Sequence, residues 1–178
     1  MTSLLYAFSV QTFVDMLTDL LGVFDKATAH IEAKKLDPDT FLTARLAPDM
    51  FTLIQQVQVA TYQAKASVAY LAGKEPPPFD GNEKTFDDLK AQIRKTIDYV
   101  KSVPESALEG GETRAIRWPL PGDMAFEGTG LQLLKDWALP HFYFHVTTAY
   151  DILRHKGVEI GKFDYLAHID PLIRRPAK

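Results

Sequence analysis

The stretch Leu139-Pro140-His141-Phe142-Tyr143-Phe144-His145-Val146-Thr147-Thr148-Ala149-Tyr150 places two of the chain's five histidines four residues apart. On a helix that spacing stacks both imidazoles on one face, one turn apart. The same face collects Leu134, Ala138, Thr148 and Ile152, an apolar stripe that must turn toward a core rather than water. A helix with such a stripe is stable only when other helices cover it, so the rest of the chain must supply partners of matching length.

It does. From Leu4 to about Ala33 the positions Val10, Val14, Leu17, Leu21 and Phe24, with Phe13, Met16, Leu20, Val23 and Ala27 beside them, form a broad apolar stripe. Asp15, Asp19 and Lys26 lie opposite, which predicts a long first helix with those charges in solvent. Turn residues follow, and Asp49 behind Pro48 is the expected N-cap of a second helix through Leu53, Val57, Ala60, Ala64, Val68 and Leu71, stopping at Gly73. The run from Gly73 through Pro76-Pro77-Pro78 to Asn82 cannot be helical and predicts a semi-rigid crossing loop between two helical hairpins. A third helix is expected from near Glu83, carrying Phe86, Leu89, Ile93, Ile97 and Val100, to Pro104.

Between Thr113 and Gly130 the period changes from 3.6 to two. Arg114–Leu120 and Asp123–Glu127 alternate around Pro121-Gly122, the pattern of a small β-hairpin. The fourth helix is expected from about Thr129 to Arg154, kinked at Pro140 and stopped by Gly157. The partly apolar tail beyond it should pack back on the helices as extended chain, with Arg174 to Lys178 fraying. The fold expected is all-α: one domain over residues 1–178, an antiparallel four-helix bundle with a small β-hairpin inserted before the last helix.

Composition narrows the chemistry. Twenty basic against 23 acidic residues leave a formal charge of −3 and no basic block, so neither nucleic acid nor an anionic membrane surface is an expected partner. The absence of cysteine removes disulfides, thiolate nucleophiles and sulfur-ligated metals together, so a metal here would need nitrogen and oxygen ligands. The N-terminus has no basic segment followed by an apolar run and a small-residue cleavage site, and a cytoplasmic protein is expected. No Gly-rich phosphate loop or nucleophile elbow occurs.

The candidate site is therefore the histidine pair. Neutral imidazoles at i and i+4 converge on one point and can ligate a divalent ion; equally, they can be core residues satisfied by carbonyls, Gln56 or tyrosines. His141 and His145 are the candidate metal ligands, and Gln56 and Thr148 are the candidate lining of the pocket beside them. His30 reads as a cation at a helix C-terminus, His155 as solvated, and His168 lies in the tail.

The run from Leu139 through His141, His145 and Asp151-Ile-Leu-Arg-His-Lys-Gly to Lys162 resembles the signature of an uncharacterised bacterial family within the DinB/YfiT-like superfamily of four-helix bundles. Ala44-Arg-Leu-Ala-Pro-Asp-Met-Phe51, Gln56-Val-Gln-Val-Ala60 and Glu83-Lys-Thr-Phe-Asp-Asp-Leu89 support it along nearly the whole chain. The resemblance implies a divalent metal (nickel, zinc or manganese) and a metal-dependent hydrolase or thiol-dependent transferase. In that superfamily three histidines hold the metal, two of them spaced four apart on the last helix. His141 and His145 match those two, while the third position falls near Gln56, and residues 49–73 contain no histidine. Two expectations follow: a buried His-lined pocket for a small molecule or divalent metal, or a non-catalytic dimeric bundle in which the pair is structural. The wide apolar faces of the first and last helices point to a homodimer.

Overall fold

The computed structural model describes residues 2–78 and 80–174. Its long helices are α1 (Leu4–Lys34), α2 (Leu53–Leu71), α3 (Phe86–Ser102) and, after a two-stranded sheet of β1 (Ala115–Pro119) and β2 (Ala125–Thr129), α4 (residues 130–155). The strands are antiparallel, with Trp118 opposite Phe126, and Gly122 and Asp123 take left-handed conformations in the turn between them. The architecture is the helical bundle with a hairpin ahead of the last helix that the periodicity predicts.

Packing fixes the directions of the helices. The end of α2 meets the start of α4, where Leu71 lies against Gly130, while Gln56 near the start of α2 meets His145 far along α4; these two helices are antiparallel. Phe24 packs on Phe86, joining the far half of α1 to the start of α3, so that pair is antiparallel too. Gln58 of α2 donates to Glu83 just ahead of α3, which sets α2 and α3 parallel. The residues 73–85 therefore return along the bundle. Lys65 is buried and pins this crossover by donating from Nζ to the Pro78 carbonyl at 2.7 Å. The core at the centre is marked by Phe13 of α1 and Phe142 of α4, edge to face at 4.9 Å and fully buried.

By length and mean hydropathy (1.3) α1 alone among the described helices is long and apolar enough to cross a membrane. Half of its most apolar window is covered within the bundle, where Phe13, Leu17 and Phe24 are wholly buried.

Three local expectations are corrected. The N-cap of α2 is Thr52, not Asp49: Thr52 Oγ1 accepts from Gln55 N while Gln55 Oε1 accepts from Thr52 N, a reciprocal capping box three residues later. The third helix likewise starts after Thr85, boxed with Asp88, rather than near Glu83. Pro140 lies inside α4, as expected. Residues Leu133–Ala138 form a π turn in which Leu139 N reaches back five residues to Leu134 O, absorbing the donor that proline lacks. The tail also departs from the extended form expected, folding into short helical turns at Lys162–Tyr165 and Ala167–Leu172. Of the expected frayed end, residues 175–178 lie outside the described residues.

The cap assignment has a direct check. Thr52→Ala should lower stability by about 1 kcal/mol in urea unfolding, and Asp49→Ala should change it by a few tenths at most. Equal losses in the two variants would return the cap to Asp49.

Candidate functional site

Gln56 sits one turn inside α2, and the antiparallel packing of α2 on α4 sets its side chain opposite His145. His145 Nδ1 lies 2.6 Å from Gln56 Oε1. Gln56 Nε2 in turn donates to the Phe51 carbonyl at 3.1 Å. That second bond fixes the carboxamide: its NH₂ is spent on a backbone oxygen, so its oxygen is the atom facing the ring. An acceptor there requires a proton on His145 Nδ1, which leaves the lone pair on Nε2.

Aromatic side chains hold both rings. Phe51 stacks on His145 at 6.1 Å and 18°, while Phe144 meets it edge-on at 5.2 Å. Trp137, one turn earlier on α4, meets His141 edge-on at 5.0 Å, and the two imidazoles are 4.8 Å apart between centroids. Over them opens a cleft of about 430 Å³ walled by Met50, Phe51 and Phe144, with Asp49 at its edge and Gln56, His141 and His145 as its remaining polar lining. That volume suits a small organic molecule.

The surroundings favour uncharged rings. Burial, and then the neighbouring His141, push the His145 pKa from 6.5 to about 4; burial also lowers that of His141. No charge among the described residues offsets this desolvation at either ring, so the neutral form is favoured at neutral pH. His141 Nδ1 is buried with no hydrogen-bond partner, as is Trp137 Nε1. Both rings line the cleft, and no hydrogen bond to either Nε2 is present among the described residues. A neutral His145 therefore offers the cleft a hydrogen-bond acceptor, and it is a weak base.

The chain matches the family model described as Domain of unknown function (DUF1993) over residues 5–166. This chain belongs to the DUF1993 family. A crystal structure of a DinB family member protein from Shewanella denitrificans is 40% identical, covers 98% of this chain and 94% of its own, and superposes with a TM-score of 0.83. The DUF1993 chain is thus a DinB-like helical protein in sequence and in fold. No curated protein matches it.

Of the four residues singled out from sequence, this DUF1993 chain brings Gln56, His141 and His145 together and sets Thr148 apart. Thr148 is buried one turn beyond His145, its hydroxyl spent on the Phe144 carbonyl at 2.7 Å, and it does not line the cleft. His30 lies against Phe41, away from the site, and His155 is exposed. His168 is the surprise among the histidines: its backbone N–H and Nδ1 both bond the carboxylate of Asp19, which is buried rather than solvated. Asp49, Phe51 and Trp137 were missed as site residues. Asp49 resembles a cap and Phe51 falls inside the expected second helix; the α2–α4 register brings both to the pair, whereas Trp137 meets His141 from one turn earlier on α4 itself.

The donor set does not fit the three-histidine metal centre that the superfamily resemblance implies. Among the described residues no group of three His, Cys, Asp or Glu side chains is placed to hold an ion. The third position is taken by a carboxamide whose 2.6 Å approach to His145 is a hydrogen-bond distance; two ligands of one ion, each about 2 Å from it, sit about 3 Å or more apart.

Proposed function

We propose that this DUF1993 protein binds a small neutral molecule in the His141–His145 cleft, the ligand having an apolar body and one O–H, N–H or S–H donor. The observation that carries this is the Gln56–His145 hydrogen bond, which assigns the ring proton to Nδ1 and leaves Nε2 as a lone-pair acceptor. Met50, Phe51 and Phe144 would take the apolar body, and the donor would bond Nε2 of His145, with His141 beside it. Hydrolase or thiol-transfer chemistry would need a base titrating near neutrality, and a His145 held near pKa 4 is poorly matched to that. Recognition of a hydroxyl, amine or thiol is the better use of such a ring. A purely structural role fits less well, because the His141 Nδ1 left unpartnered in the interior is what a structural pair would satisfy. We place the protein in the cytoplasm, in keeping with its composition.

The test uses phenol, with toluene as the same ring lacking a donor. Phenol should shift the imidazole NMR signals of His141 and His145 and quench Trp137 fluorescence, with at least tenfold tighter binding than toluene. Gln56→Ala and His145→Ala should abolish that preference. Equal binding of the two probes, or no binding of either at millimolar concentration, overturns the proposal. So does stoichiometric, tight uptake of zinc, nickel or manganese lost in His145→Ala, which would restore the metal centre.

A further inference from the structure

We propose that the apolar groove where α1 and α4 begin is a self-association surface, closing a twofold dimer in which Phe8 of each copy seats in the groove of the other. The groove holds about 460 Å³ and takes Leu131, Leu134, Lys135 and Leu139 from α4, the turns just before the histidines of the cleft. Its rim is unusual for a surface in water: Leu4 is 75% exposed, Phe8 57% and Leu131 50%. Scattered apolar residues are ordinary on a surface, but these three line one concavity floored by buried Leu5 and Leu134.

The backbone is specialised on both sides of this groove. Ala7–Gln11 of α1 and Leu133–Ala138 of α4 are π turns, and Phe8 and Lys135 project from them. A π turn is less favourable than continued α-helix and recurs where a side chain must be re-aimed. Both π turns border this one groove.

Charge decides the occupant. Two polar side chains border the groove, Glu112 and Lys135. Glu112 has no ion-pair partner among the described residues, and Lys135 meets only its exposed neighbour Asp136, a pair of little energetic weight. One patch thus carries a projecting aromatic and an apolar hole roomy enough to receive one, an acid and a base. That is the requirement for an isologous contact, in which residue i meets j and j meets i. An amphiphile would be matched by a mouth of one sign. A second copy of this chain is matched by both, with Glu112 facing Lys135 of the partner subunit across the axis.

Sedimentation velocity on the full chain between 1 and 100 µM tests this. The wild-type protein should be dimeric in the low micromolar range. Phe8→Glu, at a site too exposed to disturb folding, should weaken association at least 100-fold with an unchanged circular dichroism spectrum. Glu112→Lys and Lys135→Glu should each weaken it about tenfold, and the double reversal Glu112→Lys/Lys135→Glu should recover most of that loss. A wild-type monomer at 100 µM, or a dimer indifferent to Phe8→Glu, overturns the proposal. Failure of the double reversal to recover overturns the twofold pairing, and a monomer carrying an apolar molecule in native mass spectrometry gives the groove to a small ligand instead.

Discussion

Gly130→Ala should cost this protein about 3 kcal/mol of stability, lowering its melting temperature by roughly 6–12 °C. A Cβ at Gly130 would lie 1.9 Å from the Gly111 carbonyl oxygen and 3.0 Å from both its carbon and Leu71 Cδ2. The first obstacle is backbone and cannot rotate away. It is also held from both sides: Gly111 N bonds Leu108 O, Gly130 N bonds Arg114 O and Leu131 N bonds Glu112 O. At this junction the end of α2, the segment before β1 and the first residue of α4 converge, so relief of the clash must displace α4. Gly22 offers the contrast. It lies inside α1, and a Cβ there would meet nothing within 4 Å. Gly22→Ala should therefore gain about 0.5–1 kcal/mol from helix propensity alone. Urea unfolding of both variants decides the matter; a Gly130→Ala protein within 0.5 kcal/mol of wild type would mean that the Gly111 segment is not packed as described.

Acidification from pH 6.5 to about 4 should remove about 3 kcal/mol of stability through His145 alone. The folded ring is depressed from 6.5 to about 4, first by burial and then by His141. Between those values the unfolded chain binds a proton at this position and the folded chain does not. Stability is therefore complete above pH 6.5 and falls as pH drops, levelling off once the folded ring also protonates. The lowered pKa of His141 acts in the same direction. Asp19 opposes it: burial outweighs its bonds to His168 and raises its pKa, so its contribution is lost as pH rises. A His145→Gln variant separates these effects, since it retains Asp19 and His141. Its stability should depend less steeply on pH across this window, and the wild-type slope persisting in the variant would show that His145 is not the group responsible.

The bundle was legible because its information is periodic. Val10 through Ala27, Leu53 through Leu71 and Phe86 through Val100 each repeat at helical spacing over several turns, and the switch to period two after Thr113 marked the hairpin. Boundaries were less legible where two signals competed. Asp49 behind a proline resembles a cap, but Thr52 with Gln55 satisfies two backbone groups reciprocally and prevails. The π turns have no local sequence code; Pro140 hinted that the hydrogen-bond ladder must adjust, not how.

The site was partly legible for the same reason. Spacing on a single helix was enough to pair His141 with His145, and a count along α2 brought Gln56 toward them. Thr148 shares their stripe, yet its hydroxyl finds its own helix first. Phe51 and Asp49 reach the cleft through the register between helices, and the Asp19–His168 pair forms through the return of the tail across α1. Neither relation is written in any window of sequence.

The protonation state of one ring is the most direct measure of the site. In ¹⁵N-labelled protein at pH 7, long-range proton–nitrogen correlation should show His145 neutral and protonated at Nδ1, with Nε2 bare, and Gln56→Ala should shift it toward the mixed tautomers of a free imidazole. A His145 that is an imidazolium at pH 7, or that carries its proton on Nε2, would contradict the acceptor on which recognition of a donor-bearing ligand depends.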